Sequence, residues 1–253
     1  MKITFLGTGT SQGVPVIGCQ CEVCQSMDYR DKRLRTSVHL SIDGKSFVID
    51  TGPDFRQQML REDIRQLDAI IFTHGHKDHI AGLDDVRAFN FLQQMDMPVY
   101  GQKPVLDQLK IEFFYAFEAK KYPGIPQLNL IELFEAPFEA AGVTFTPLPV
   151  MHLNMPVLGF RVNDFSYITD ANFISEATIE KLKGTEILVI NALQREKHIS
   201  HFNLAEAVAM AQKIGAGKTY CTHISHKLGS HKQVEKELPT SIALAYDGLT
   251  ITL

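Results

Sequence analysis

The chain reads as an α/β protein of two sheets, each covered on its outer side by helices. Three observations lead there. β-Branched or alternating runs of strand length cluster early and again after Gly142; segments with apolar residues near the helical period lie between them; and Pro and Gly punctuate the chain at short intervals without any low-complexity tract. Strands are expected at residues 2–6, 37–42, 46–50, 69–73, 142–148, 158–162, 166–169, 187–191, 219–222, 241–245 and 249–253. Helices are expected at 53–62, 83–94, 104–117, 175–183, 204–214 and 232–237. With 253 residues, 45% hydrophobic and 21% charged, the chain can bury one large core, and residues 1–253 are expected to form a single domain.

The net charge of −4 supplies no global basic field, so nucleic acid is not an expected partner. The first apolar run, Ile3-Thr4-Phe5-Leu6, is too short for a signal peptide, and no stretch approaches the length of a membrane span. Cys19, Cys21 and Cys24, three of the four cysteines, fall within six residues. That spacing suits convergence on a metal better than a disulfide framework, which points to a reducing, cytoplasmic setting.

The decisive segment starts in the apolar run Ala69-Ile70-Ile71-Phe72, a buried strand, which leads through Thr73 to His74-Gly75-His76-Lys77-Asp78-His79. A lone histidine is usually a satisfied core or surface residue. Four ligand-type side chains in six positions at a strand's C-terminal end are not explained that way. A helix would place residues 74 and 76 on different faces, so a loop is required, with Gly75 allowing a tight turn.

This His-x-His-x-Asp-His segment resembles the signature of the metallo-β-lactamase superfamily. The other residues of that pattern follow in order: His152 after the strand ending Pro149-Val150-Met151, Asp170 after Tyr167-Ile168-Thr169, and His223 after Tyr220-Cys221-Thr222. The resemblance covers nearly the whole chain and implies an αββα four-layer sandwich, a single metallo-β-lactamase-like hydrolase domain of two mixed sheets flanked by helices. It implies further that His74, His76 and His152 hold one metal, that Asp78, His79 and His223 hold a second, and that Asp170 bridges them. Imidazoles and carboxylates suit divalent manganese or zinc, with iron or nickel as further options, and such a pair can share a hydroxide formed near neutral pH. Flavodiiron oxygen reductases share the fold but carry Glu where this chain has His76, so hydrolysis is favoured over redox chemistry.

Cys19-Gln20-Cys21-Glu22-Val23-Cys24, in a loop spanning about residues 18–27, offers three thiolates, one short of a tetrahedral structural zinc site. With His223 facing the catalytic metals, His226 in His223-Ile224-Ser225-His226 is free to supply the fourth ligand. The combination resembles the PhnP-like phosphodiesterases, which act on phosphoribosyl 1,2-cyclic phosphate. By position, His201 in Ser200-His201-Phe202-Asn203 matches a histidine which that family uses as general acid toward the leaving alkoxide; His198 could mimic it. Asp78 would orient the nucleophile.

Gly7-Thr8-Gly9-Thr10-Ser11-Gln12-Gly13 has its third glycine one residue too late for a dinucleotide fingerprint, and no helical pattern follows. It is read as a loop whose glycines let backbone pass close to the metal site. Arg87 could contact a phosphate, against the alternative of a solvated helix face. His39 and His231 are read as structural, Cys221 as a core residue, and Asp50 as a residue that orders nearby ligands.

The function expected from these readings is metal-dependent hydrolysis of a small phosphodiester, a cyclic sugar phosphate foremost, through a hydroxide shared by two metals, with one further structural zinc. The alternatives are transfer-RNA 3′ processing of the RNase Z type, a PqqB-like role in cofactor biosynthesis, and a non-catalytic metal-dependent binding module. RNase Z enzymes insert a Gly/Pro-rich arm between the bridging Asp and the last His, and the segment from Asp170 to His223 shows none. The expected partner is a small-molecule phosphodiester, with no membrane; the sequence also allows a homodimer.

Overall fold

The computed structural model describes residues 1–118 and 123–253. The first half of the chain builds one sheet from β1 (Lys2–Gly7), β2 (Ser37–Ile42), β3 (Lys45–Ile49), β4 (Ala69–Ile71), β5 (Met97–Gly101) and β6 (Leu128–Glu132). The second half builds another from β7 (Phe138–Ala140), β8 (Val143–His152), β9 (Met155–Val162), β10 (Phe165–Tyr167), β11 (Phe173–Ile174), β12 (Ile187–Asn191), β13 (Lys218–Thr222) and β14 (Ile242–Leu244), before β15 (Thr250–Thr252) returns to pair with β1. Strand order is β15-β1-β2-β3-β4-β5-β6 in the first sheet and β11-β8-β9-β10-β12-β13-β14 in the second, with β7 paired to β8. Each sheet begins as an antiparallel meander and continues with parallel strands joined by helices.

The layering follows from the two-residue period of the strands. In β3, Phe47 and Ile49 face the other sheet while Val48 faces the helices; in β12, Ile187 and Val189 face inward while Leu188 and Ile190 face out. The inner faces meet in an aromatic core where Phe145 lies 5.2 Å from Phe47 and 5.7 Å from Phe138, ring to ring. Outside the first sheet, Phe55 and Met59 of α2 (Phe55–Arg61) and Val105 and Leu109 of α5 (Lys103–Glu112) pack on it; Phe89 of α4 (Arg87–Gln93) joins them. Outside the second, Ile179 and Leu182 of α6 (Glu176–Leu182), Ala207 and Ala211 of α7 (Leu204–Ile214) and Val234 of α8 (His231–Val234) do the same. The result is the expected αββα sandwich. The short helices α1 (Glu22–Gln25) and α3 (Lys77–Ile80) belong to the sites below.

Several expected elements differ. The segment 83–94 divides into a 3₁₀ turn at Leu83–Val86 and α4, which ends at Gln94 with φ +52°. The segment 104–117 likewise becomes α5 and a 3₁₀ turn at Phe114–Ala116. Strand β5 carries Pro98 and Gly101, which break a strand pattern; β6 is a partly exposed edge; β7 and β11 have three and two residues. Among the described residues, no helix is long and apolar enough to cross a membrane.

Phe145 is fully buried between two aromatic neighbours. Phe145→Ala is expected to lower the unfolding free energy by about 3–5 kcal/mol in urea titrations; a loss below about 1 kcal/mol would show that the sheets do not depend on this contact.

Candidate metal centre

The expected ligands arrive at one edge of the sandwich from the ends of strands. His74 and His76 lie in the loop after β4, Asp78 and His79 on α3, His152 at the end of β8, Asp170 beyond β10 and His223 just after β13. The loop reading holds for residues 74–76, whereas Asp78 and His79 sit on a single helical turn. Gly75 is not needed for the bend. Its φ is not positive, and a Cβ there would meet Gln108 at an ordinary 3.6 Å. The glycine that matters is Gly52, where a Cβ would fall 2.2 Å from the Asp78 carbonyl oxygen: only a residue without a side chain lets α3 settle against this loop.

The donor atoms gather around Asp170. Those of Asp78, His79, Asp170 and His223 lie within 4.8 Å of one another, as do those of His74, His76 and Asp170, and those of His152, Asp170 and His201. Asp170 Oδ1 is 3.1 Å from His223 Nε2, and its Oδ2 is 3.4 Å from His79 Nε2 and 3.6 Å from His74 Nε2. The Nε2 atoms of His74, His79 and His223 are buried with no hydrogen-bond partner, which is the condition of metal ligands and a costly one for anything else. His76 is the exposed member, its ring 5.1 Å from that of His152, so the site opens on that side.

Neighbouring groups fix which nitrogen is free in His74, His79 and His152, whereas both nitrogens of His223 are buried without a hydrogen-bond partner. Thr73 donates its hydroxyl proton to Asp50 Oδ2 at 2.8 Å, so at 3.0 Å it can only accept from His74 Nδ1, which leaves Nε2 without a proton. His79 Nδ1 donates to Asp50 Oδ2 at 2.7 Å, and His152 Nδ1 to the Ser200 carbonyl at 2.9 Å. Asn191, at the end of β12, clamps Ala171 through its backbone N–H and C=O at 2.8 and 2.9 Å, which holds Asp170 in place. Asp50, Asp170 and His223 all take positive φ, of 65°, 55° and 55°. Strain of this kind persists where surrounding contacts dictate it.

The electrostatics of the donor groups reflect this crowding. Burial opposes charge on Asp170, but His223 and His79 outweigh it and hold the carboxyl well below the usual range. Burial likewise opposes the charge on His79, and Asp170, Asp78 and Asp50 overcome it, raising its pKa well above the ordinary value. A divalent ion would take over the role of that proton.

His201 joins the same cluster, with Nε2 3.4 Å from Asp170 Oδ2 and its ring 4.6 Å from that of His152. Burial pushes its pKa down to about 4. His198 stands behind it, Nδ1 to Nδ1 at 3.2 Å, with Ser200 Oγ 3.0 Å from His201 Nδ1. Arg87 is not brought to the cluster: it pairs with Asp84 at 3.2 Å on the helix surface and lines a hollow of about 610 Å³ with Phe91 and Ile125.

A second donor set forms from Cys19, Cys21, Cys24 and His226, again within 4.8 Å. His226 Nδ1 lies 3.3 Å from Cys19 Sγ and 3.4 Å from both Cys21 Sγ and Cys24 Sγ. Zinc bonds of ~2.3 Å to sulfur and ~2.0 Å to nitrogen give a tetrahedral edge of roughly 3.5 Å, so the four residues fit that ion. Cys21 caps α1 by accepting from the Cys24 N–H, the largest contribution to a thiol pKa lowered to about 6; burial raises that of Cys24 to about 11. The loop from Gly7 to Gly13 passes between the two centres. Its Thr8 carbonyl accepts from Ile224 N–H at 2.8 Å and its Thr10 N–H donates to Ile224 O at 3.1 Å. The close approach which the glycines permit is therefore to backbone: a Cβ on Gly7 would lie 1.9 Å from Arg35 O. His39 pairs with Ser46, His231 with Arg33, and Cys221 is wholly buried; none of the three belongs to a donor cluster.

Residues 45–224 match the Beta-lactamase superfamily domain, and the chain belongs to that superfamily. Within it the chain is PhnP-like: a solved structure described as a new diphosphatase from the PhnP family superposes with a TM-score of 0.93 at 42% identity, over 100% of this chain and 97% of that one. Zinc-bound PqqB from Methylobacterium extorquens shares the fold, with a TM-score of 0.82 at 19% identity and 100% coverage of both chains. An octanoyltransferase of Porphyromonas gingivalis (strain ATCC BAA-308 / W83) is 40% identical over 98% of this chain but only 51% of its own length. The chain spans about half the length of the curated relatives it matches first, 51% and 52%. The family and the donor clusters together support divalent-metal use at this site.

Asp50 supports two ligands at once. Asp50→Ala should weaken divalent-metal binding by about 10–100-fold in competition titrations; an unchanged dissociation constant would remove Asp50 from the support of the site.

Proposed function

We propose that the chain hydrolyses a small phosphodiester, with a cyclic phosphate on a sugar as the leading substrate. In this reading His74, His76 and His152 hold one divalent ion, Asp78, His79 and His223 a second, and Asp170 bridges them, while Cys19, Cys21, Cys24 and His226 hold a structural zinc. Manganese or zinc suits the first two positions, with iron or nickel as alternatives. Two such ions would supply an activated water and neutralise charge on the reacting phosphoryl oxygens. The observation that supports the reading is the convergence of three donor clusters on the Asp170 carboxylate, the third of which groups His201 with His152; assigning His152 to the first ion leaves His201, 3.4 Å from Asp170, for the substrate.

The side chains then divide the work. Asp78, whose carboxyl stays ionised because His79 and His223 outweigh the cost of burial, would orient the attacking water. His201 would protonate the departing alkoxide through Nε2. Burial lowers its pKa to about 4 even with the Asp170 carboxylate 3.4 Å from Nε2, and the negative charge of a phosphodiester would raise it. Ser200 and His198 would steady the ring from the Nδ1 side.

A diphosphate substrate is a second reading, supported by the description of the PhnP-family structure. The RNase Z reading is weakened because residues 171–222 form β11, α6, β12, α7, β13 and short connections, with no protruding arm. Octanoyl transfer finds no free thiol nucleophile among the described residues: three thiols converge with His226, and burial raises the pKa of Cys221 to about 12.

His201→Ala tells the two phosphate readings apart. A sugar alkoxide needs a proton to leave, whereas a phosphate or p-nitrophenolate does not. The variant should keep its metal content, lose on the order of 10²–10⁴ in rate on a cyclic ribose phosphate, and lose much less on bis(p-nitrophenyl) phosphate or a diphosphate diester. Equal losses on all three would assign His201 to charge stabilisation or positioning instead.

A further inference from the structure

Three large apolar side chains stand in solvent on segments that adjoin the donor cluster in sequence: Leu153 is 47% exposed, Phe173 57% and Ile199 73%. Each is close in sequence to a residue of the cluster. Leu153 follows His152, Phe173 lies three residues after Asp170, and Ile199 two before His201. None contributes to the three hydrophobic cores.

One residue ties the three segments together. Asn172 Oδ1 accepts from the Leu153 N–H at 2.9 Å, its Nδ2 donates to the Ile199 carbonyl at 3.0 Å, and its own N–H donates to Met151 O at 2.9 Å; Phe173 pairs with Met151 in the sheet. The location follows from the exposed ligand. His76 marks the open side and its ring is 5.1 Å from that of His152, so the turn that starts at Leu153 flanks the entrance.

Leu153 occupies the first position of the two-residue turn joining β8 and β9, with φ +55°. Glycine is the residue that fits such a position, and a bulky leucine there is strained. Neither the core nor the turn calls for this side chain. What it does is leave an apolar group in solvent on the turn that directly follows His152.

We infer that Leu153, Phe173 and Ile199 form a specificity surface that receives an apolar substituent of the substrate, an aryl or alkyl group carried beyond the phosphoryl centre. The inference rests on the reading of the cluster as a phosphoryl-binding site, and names the part of the substrate which the metals do not touch. The contact is apolar and lies off the reacting atoms, so the three residues act on selection and not on the chemical step.

The test uses metal-loaded protein, titration calorimetry, and phenylphosphonate and methylphosphonate as probes, which share a head group and need no turnover. The native chain should bind the phenyl compound about tenfold more tightly, as expected for covering one ring face. The triple variant Leu153→Gly, Phe173→Ser, Ile199→Ser should bring the ratio near one and leave methylphosphonate binding unchanged. Leu153→Gly alone relieves the strained backbone, so it tests the rim without risk to folding, and should remove part of the preference. Equal affinities in the native chain, or a preference that survives the triple variant, would overturn the inference. A change in sedimentation coefficient without a change in the ratio would assign the surface to self-association. Failure to bind either phosphonate would overturn the phosphoryl reading itself.

Discussion

A buried carboxylate with three groups of donors around it is the constraint on which the rest of this structure turns. Asp170 sits at 2% exposure, where an unpaired charge would cost several kcal/mol. It remains ionised because His223 and His79 outweigh the burial penalty, and a pair of cations would do so more completely. Strand ends from both sheets have to deliver their ligands to this one point. The αββα layering makes that possible, because the parallel strands of each sheet end at the same edge.

The two centres are coupled by a short piece of chain. His223 faces Asp170 while His226, three residues on, faces the thiols, and Ile224 between them is held by Thr8 and Thr10. A zinc at the cysteine loop would thereby anchor His223, one of the donors around Asp170, and so couple the two proposed metal centres.

Much of the site was legible in the sequence, since ligand chemistry concentrates in rare residue types at strand ends. His74, His76, Asp78 and His79 announce themselves by density, and His152, Asp170 and His223 by the strand-like run before each. The role of Asp50 was only sketched, although its place just beyond β3 parallels that of Asp170 beyond β10. The Ser200 carbonyl that orients His152 and the Asn191 amide that clamps Ala171 carry no sequence signal, because backbone acceptors and a single buried Asn look like any other. The fold was legible where the strand signal is strong, in the alternation of β2 and the unbroken apolar run of β12, and illegible in β5, where Pro98 and Gly101 disrupt the pattern. Arg87 follows the solvated-face alternative: near the metal motif in sequence, it pairs with Asp84 at the helix surface.

Anomalous diffraction from crystals of the metal-loaded protein tests the central claim most directly. The account predicts two peaks flanking Asp170, about 3.5–4 Å apart, and a third peak, with a zinc edge, among Cys19, Cys21, Cys24 and His226. A single ion remote from the Asp170 carboxylate, or two ions that do not share it, would contradict the account.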